Sequence, residues 1–194
     1  MKKKIVVMAS GGGSNFSAIV NSDIIVDRVI TDNKNANVIK RAEMVNVPVT
    51  IVNKDVEEYK PQMQIEGGRE RSSAMFDGKI LKAIPEDTDL IVLAGYCRIL
   101  SPHFCEKWSG KIINVHPSLL PAFSGTIHAI KEAWEHGCRV FGVTIHWVTE
   151  EVDAGDIIAQ RAVHAIETDT LDTITAQVHQ IEHYLYPETI ISLL

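Results

Sequence analysis

The chain has 194 residues, 45% of them hydrophobic, 23% charged and 6% aromatic. That is the size and balance of one soluble domain, and a chain this long buries roughly 70% of the surface its unfolded form exposes, so it needs no disulfide or metal staple. With 19 Lys plus Arg against 25 Asp plus Glu the formal charge is −6, which argues against general nucleic-acid or anionic-membrane binding, where basic patches supply the affinity. Three cysteines, Cys97, Cys105 and Cys138, are scattered without a Cys-x-x-Cys pair. They read as free thiols in a reducing cytoplasm rather than as a disulfide framework or a thiolate zinc site. No run approaches the ~20 apolar residues of a membrane span. Lys2-Lys3-Lys4 leads into only four apolar residues before glycines intervene, so a strand is expected there and not a signal peptide.

The first strand is expected over Ile5 to Ala9, followed by a helix from Ser14, where Phe16, Ile19 and Val20 recur at helical spacing. Ile24 to Thr31 reads as a second strand, Asn33 to Val45 as a helix and Pro48 to Val52 as a third strand. This β-α-β-α-β order predicts an α/β fold: a Rossmann-like, doubly wound, mostly parallel sheet. Asn53 to Gly68 is a polar connection with Pro61 and a closing Gly67-Gly68. A helix is expected over Arg69 to Ile84 and a buried strand over Asp89 to Ala94. The second half is less regular. Lys111 to Asn114 is a short strand, and two prolines fix an extended path from His116 to Pro121. Ile127 to His136 reads as a helix closed by Gly137, and Val140 to Thr149 and Asp156 to Val163 as strands joined by a turn from Glu150 to Gly155. A last helix covers Thr170 to Leu194, with Pro187 expected to break or kink it.

Four segments hold residue types that carry chemistry. Ser10-Gly11-Gly12-Gly13-Ser14-Asn15 joins a strand to a helix. Glycines let backbone N–H groups turn inward, Ser14 and Asn15 can cap the helix, and a helix N-terminus is partly positive; together these make a phosphate cradle. The Gly-Lys-Ser/Thr ending of a P-loop is absent, and Phe16 stands where a dinucleotide fold needs a small residue. A monophosphate therefore fits better than a dinucleotide, although a plain glycine turn with a helix cap looks the same. In Asn114 to Pro121, Asn114 and His116 sit two apart at a strand end and project from one face. Asn can donate to a developing oxyanion and His can transfer protons near neutral pH. His146 to Gly155 is an acid-rich turn whose Asp153 gains meaning only if it faces His116. A metal held by His116, His146 and Asp153 is disfavoured by the lack of short ligand spacing. Ala94 to Pro102 follows the carboxyl end of a buried strand, where open α/β sheets bind ligands. There Gly95 allows close approach and Arg98 is either a ligand contact or a solvated charge.

In this order, the four segments resemble the formyltransferase family that uses 10-formyltetrahydrofolate, and within it the enzymes whose acceptor is glycinamide ribonucleotide. The most specific parts are Ala94 to Ser101, Asn114 to Pro121, His146 to Gly155, and Glu182-His183 followed by Tyr186-Pro187. The resemblance implies a formyltransferase fold in a single domain over 1–194, its nucleotide-binding half about 1–100 and its catalytic and folate half about 101–194. It implies Asn114, His116 and Asp153 as catalytic residues with His146 in support. It places Gly11, Gly12, Gly13, Ser14 and Asn15 on the ribonucleotide phosphate, and Glu182, Gly95 and Pro117 at the ribose and amine. It assigns Tyr96, Cys97, Arg98, Ile99, Leu100, Val148, Thr149, Glu150, Glu151 and Val152 to the folate walls. 10-Formyltetrahydrofolate enters as co-substrate, no metal is required, and the chain is expected to be cytoplasmic, as a monomer or homodimer. Gly12 and Ser124 depart from the family pattern, Thr126 to Ile130 does not align with it, and so His128 receives no role. Arg69 and Arg71 are the candidates for an arginine at the folate tail.

Four rival readings stand beside this one. A formyltetrahydrofolate hydrolase would be expected to carry an N-terminal regulatory domain, whereas the first strand here is expected from about residue 4. A methionyl-tRNA formyltransferase would bring a C-terminal domain and a basic surface. A non-catalytic nucleotide or folate binder would not need Asn114, His116 and Asp153 together. A nicotinamide-dependent reductase is disfavoured by Phe16.

Overall fold

The computed structural model describes residues 3–53, 70–71 and 74–194. In chain order the elements are β1 (Ile5–Met8), α1 (Ser14–Asn21), β2 (Val26–Thr31), α2 (Val38–Met44), β3 (Val49–Ile51), β4 (Glu70–Arg71), α3 (Ala74–Ala83), β5 (Leu90–Leu93), β6 (Arg98–Ile99), α4 (Pro102–Lys107), β7 (Ile112–His116), α5 (Ala129–Glu135), β8 (Val140–Trp147), β9 (Ile157–His164) and α6 (Leu171–Leu193). Seven strands form one sheet in the order β3-β2-β1-β5-β7-β8-β9. The first five run parallel, and β8 and β9 add an antiparallel hairpin. From β1 the chain winds outward through β2 to β3, then returns to lay β5 and β7 on the other side. That reversal opens a crevice beyond the carboxyl ends of β1 and β5, the usual place for a ligand in such a sheet.

Burial follows from the pleat. Every residue of β1 is buried. Ile5 and Val7 face the apolar layer shared with α1 and α6, while Val6 and Met8 face the layer that holds Phe76, Ile80 and Phe104. Continuous β-branched runs are what a strand covered on both faces requires. Phe16, fully buried, belongs to the first layer.

Three expectations change. The segment read as one helix from Arg69 instead pairs Glu70 and Arg71 with Arg98 and Ile99 as β4 and β6, and α3 begins only at Ala74. A two-residue pairing across the sequence has no local period to announce it. Pro187 does not end α6, which runs through it for 23 residues. Pro187 is buried between Tyr186 and the Thr189-Ile190 turn, and that packing outweighs the ~3 kcal/mol cost of an interior proline. Helix α4 was not foreseen, although Ser101 caps it by accepting from Phe104 N at 3.3 Å and Pro102 occupies its first turn. Residues 54–68 of the polar connection, and Arg69, lie outside the described residues.

Candidate active site

The glycine loop leaves β1 and enters α1 through Gly13, whose φ of 74° is left-handed. A Cβ at Gly13 would stand 2.8 Å from Val38 Cβ, so only glycine lets α2 approach this closely. Gly13 is also the N-cap of α1 and supplies no side-chain bond. Ser14 and Asn15 are therefore not caps; they occupy the first turn, whose backbone N–H groups have no intrahelical partner. Asn15 instead turns inward and donates from Nδ2 to Glu182 Oε2 at 2.9 Å. Burial pushes the Glu182 carboxyl above its usual range, opposed by the Asn15 bond and by His179 one turn earlier. Tyr186, one turn further along α6, anchors the helix: its hydroxyl lies 3.0 Å from Leu93 O at the end of β5 and 3.1 Å from Ile113 O within β7.

The antiparallel register of β7 and β8 sets Asn114 opposite His146 and His116 opposite Thr144. Asn114 Nδ2 is 3.2 Å from His146 Nε2. The Glu150–Gly155 turn then folds Asp153 back onto both histidines, with Oδ2 3.4 Å from His116 Nδ1 and Oδ1 3.8 Å from His146 Nε2. Gly125 N donates to the same Asp153 Oδ2 at 2.8 Å. Asp153 adopts a φ of 52°, a left-handed conformation that aspartate tolerates. Gly155 permits the turn, because a Cβ there would fall 1.9 Å from Trp147 O. His116 is fully buried, and its Nε2 sits 2.9 Å from the Phe123 carbonyl. A carbonyl only accepts, so Nε2 carries the proton and Nδ1 is the atom turned to the carboxylate.

Two cavities meet at this cluster. The larger, about 900 Å³ with its open mouth, is lined by Gly12, Gly13, Ser14, Asn15, Gly95, Tyr96, Cys97, Pro117, His179 and Glu182, among others. The second, about 420 Å³, is lined by Tyr96, Arg98, Ile99, Leu100, Val148, Thr149, Glu151, Val152 and Asp153, with Leu93 and His146. Asn114 lines both. A wide cleft beside a helix N-terminus and a narrower slot thus share Asn114 and Tyr96, with Glu182 on the cleft and the buried Asp153 carboxylate on the slot.

Residues 3–190 match the formyl transferase family. The chain belongs to that family. It is 40% identical to the phosphoribosylglycinamide formyltransferase of Bacillus subtilis, over 99% of this chain and 95% of that one. It is 37% identical to part of the human trifunctional purine biosynthetic protein adenosine-3, of which it spans 18%. Among solved structures, glycinamide ribonucleotide transformylase 1 of Geobacillus kaustophilus superposes with a TM-score of 0.87 at 37% identity, covering 100% of both chains. The phosphoribosylglycinamide formyltransferase of Streptococcus pneumoniae gives 0.86 at 36%, over 100% of this chain and 99% of that one.

In this formyltransferase some expected site residues fall elsewhere. Gly11 does not line the cleft; its carbonyl accepts from Val38 N at 3.1 Å and ties the loop to α2. Cys97, expected on the slot, lines the cleft, and its N–H donates to Ser10 Oγ at 3.0 Å. Glu150 faces a separate outer depression beside Pro102. Arg98 is neither solvated nor held out to an anion: Nε bonds Asp32 Oδ2 at 2.7 Å and the guanidinium lies 4.5 Å over the Phe76 ring. The His116 side chain lines neither cavity; Asp153, whose Oδ2 is 3.4 Å from its Nδ1, lines the slot. His128 also faces neither cavity.

Residues missed from the sequence include His179, which lines the cleft with Glu182 three residues on along α6; helical spacing was the available signal. Thr144 was invisible in the sequence. Its hydroxyl donates to Ser118 O at 2.7 Å and accepts from Leu120 N at 3.0 Å and Gln160 Nε2 at 2.9 Å, clamping the loop after His116.

Proposed function

We propose that this chain moves the formyl group of 10-formyltetrahydrofolate to the primary amine of glycinamide ribonucleotide, as a cytoplasmic enzyme of purine synthesis working as a monomer or homodimer without a metal. Residues 1–194 are read as one domain, and both subsites draw on both halves of it. The observation that carries the reading is that the cleft and the slot adjoin, with Asn114 and Tyr96 lining both. A phosphate fits the first turn of α1, where free N–H groups and the helix dipole favour an anion. Glu182 accepts from ribose hydroxyls, and Asn15 Oδ1, which has no hydrogen-bond partner among the described residues, is a second acceptor beside it. The pterin head enters the slot between Arg98–Leu100 and Val148–Val152.

The amine then attacks the formyl carbon on N10. A C–N bond forms and the carbonyl oxygen takes the electron pair. Asn114 Nδ2 donates to that oxygen. The ammonium proton passes to N10 by way of Asp153, with His116 behind it to hold Asp153 in place and share the proton. The oxyanion's electron pair returns to re-form the C=O bond as the C–N10 bond breaks, and the formamide product and tetrahydrofolate, its N10 now bearing the proton, leave. No covalent enzyme intermediate is needed, and holding two substrates in register supplies much of the rate.

Incubation of the protein with 10-formyltetrahydrofolate, with and without glycinamide ribonucleotide, tests this by the folate absorbance change. Turnover should require the nucleotide and fall by at least about 100-fold in Asn114→Ala and Asp153→Ala, the scale set by losing one oxyanion donor. Deformylation without acceptor would make the chain a hydrolase. Ligand binding without turnover would make it an inert binder.

A further inference from the structure

We propose that His146 is a positioning residue: as a neutral imidazole it fixes which end of the Asn114 carboxamide faces the reacting atoms. The tautomer follows from its two neighbours. Trp147 O lies 2.9 Å from Nδ1 and can only accept, so Nδ1 bears a proton. Asn114 Nδ2 lies 3.2 Å from Nε2 and can only donate, so Nε2 offers its lone pair. One N–H of Asn114 is thereby engaged, the amide is held with its nitrogen toward the cluster, and the second N–H remains for a ligand where the two cavities join.

The alternative arrangements are unfavourable at Asn114. With the carboxamide turned end for end, its oxygen would oppose the Nε2 lone pair and would repel an oxyanion that the nitrogen attracts. A proton on Nε2 would instead confront the Asn114 N–H and be drawn to Asp153 Oδ1, 3.8 Å away. The ring is 2% exposed, so water does not substitute for either bond. His146 thus acts on the reaction through Asn114, as an outer residue orients a metal ligand or a catalytic amide.

The activity arm of the test rests on the formyl-transfer reading; the spectroscopic arm does not. His146→Asn keeps a donor for Trp147 O but places no acceptor at the Nε2 position, whereas His146→Gln restores an acceptor there. His146→Asn should lose about 100-fold in kcat, the scale of a displaced oxyanion donor, with KM for both substrates changed by less than about threefold. His146→Gln should recover kcat to within about tenfold of the parent. Equal kcat in His146→Asn and the parent overturns the proposal, and so does a His146→Gln that falls as far as His146→Asn. Nitrogen-15 NMR of the unaltered protein reads the tautomer without substitution or turnover. A protonated Nδ1 with a lone-pair Nε2 is expected; a protonated Nε2 overturns the proposal even if the enzyme is active. Absent formyl transfer with the expected tautomer would instead count against the assigned reaction.

Discussion

Replacing Gly13 by alanine adds backbone strain and crowding together in the glycine loop between β1 and α1. At φ 74° an L-residue enters the left-handed region, which costs about 1–2 kcal/mol. The new Cβ would also stand 2.8 Å from Val38 Cβ and 2.9 Å from Val38 Cα. One of those atoms is backbone at the start of α2, so the helix itself must shift, an overpacking cost of about 1–3 kcal/mol. The sum is about 2–5 kcal/mol, against total stabilities of about 5–15 kcal/mol for natural domains. For a chain of this length that lowers the melting temperature by roughly 4–20 °C. Gly12→Ala is the control: nothing lies within 4 Å of its Cβ and its φ is ordinary, so its melting temperature should fall by less than about 3 °C. Thermal denaturation followed by circular dichroism measures both. A Gly13→Ala protein as stable as the parent would refute the loop geometry. A Gly12→Ala protein destabilised as much as Gly13→Ala would refute the assignment of the cost to φ and Val38.

Glu182→Gln should raise KM for the nucleotide by roughly 10- to 150-fold, the worth of one hydrogen bond to a charged group, with folate KM unchanged in steady-state kinetics. The same variant should be at least as stable as the parent at neutral pH. Burial raises the folded-state pKa of Glu182, so the carboxyl's contribution to stability is full below its unfolded pKa and is lost as pH rises through the folded one. The stability advantage of Glu182→Gln should therefore vanish on acidification below the ordinary glutamate range, and an advantage that grew toward acid would contradict the burial argument. Tyr186→Phe removes the hydroxyl that donates to Leu93 O and Ile113 O and should cost about 1–3 kcal/mol, measured by urea denaturation; a cost near zero would mean those carbonyls find other donors.

Most of the fold was legible because parallel strands covered on both faces must be apolar without interruption. Ile5–Met8 and Leu90–Leu93 are four-residue runs of that kind, each fully buried, and glycines or polar turns delimit them. What failed was either non-local or contextual. The β4–β6 pairing joins residues 28 apart in sequence, Glu70 with Arg98, and no periodicity encodes a partner. Pro187 obeys its local rule in isolation but sits where Tyr186 and Ile190 bind α6 to the sheet, and tertiary packing prevails over propensity.

The chemistry was legible where it lies in one short stretch and obscure where it depends on register. Asn114 and His116 are readable as a pair because residues two apart on a strand share a face. Nothing in the sequence pairs Asn114 with His146; the antiparallel register of β7 on β8 does. A slip of one residue would send every β8 side chain to the opposite face. Ile145 would then oppose Asn114, and the Asn114–His146 bond would have no acceptor. Thr144 and Gln160 hold that register from outside the chemistry, since Thr144 ties β8 to Ser118 and Leu120 while Gln160 of β9 reaches across to both Thr144 and Leu120 O. The alignment of donor, imidazole and carboxylate is therefore a property of the β7-β8-β9 pairing as much as of the residues themselves. For that reason Thr144, which touches neither cavity, belongs to the same functional unit as Asn114.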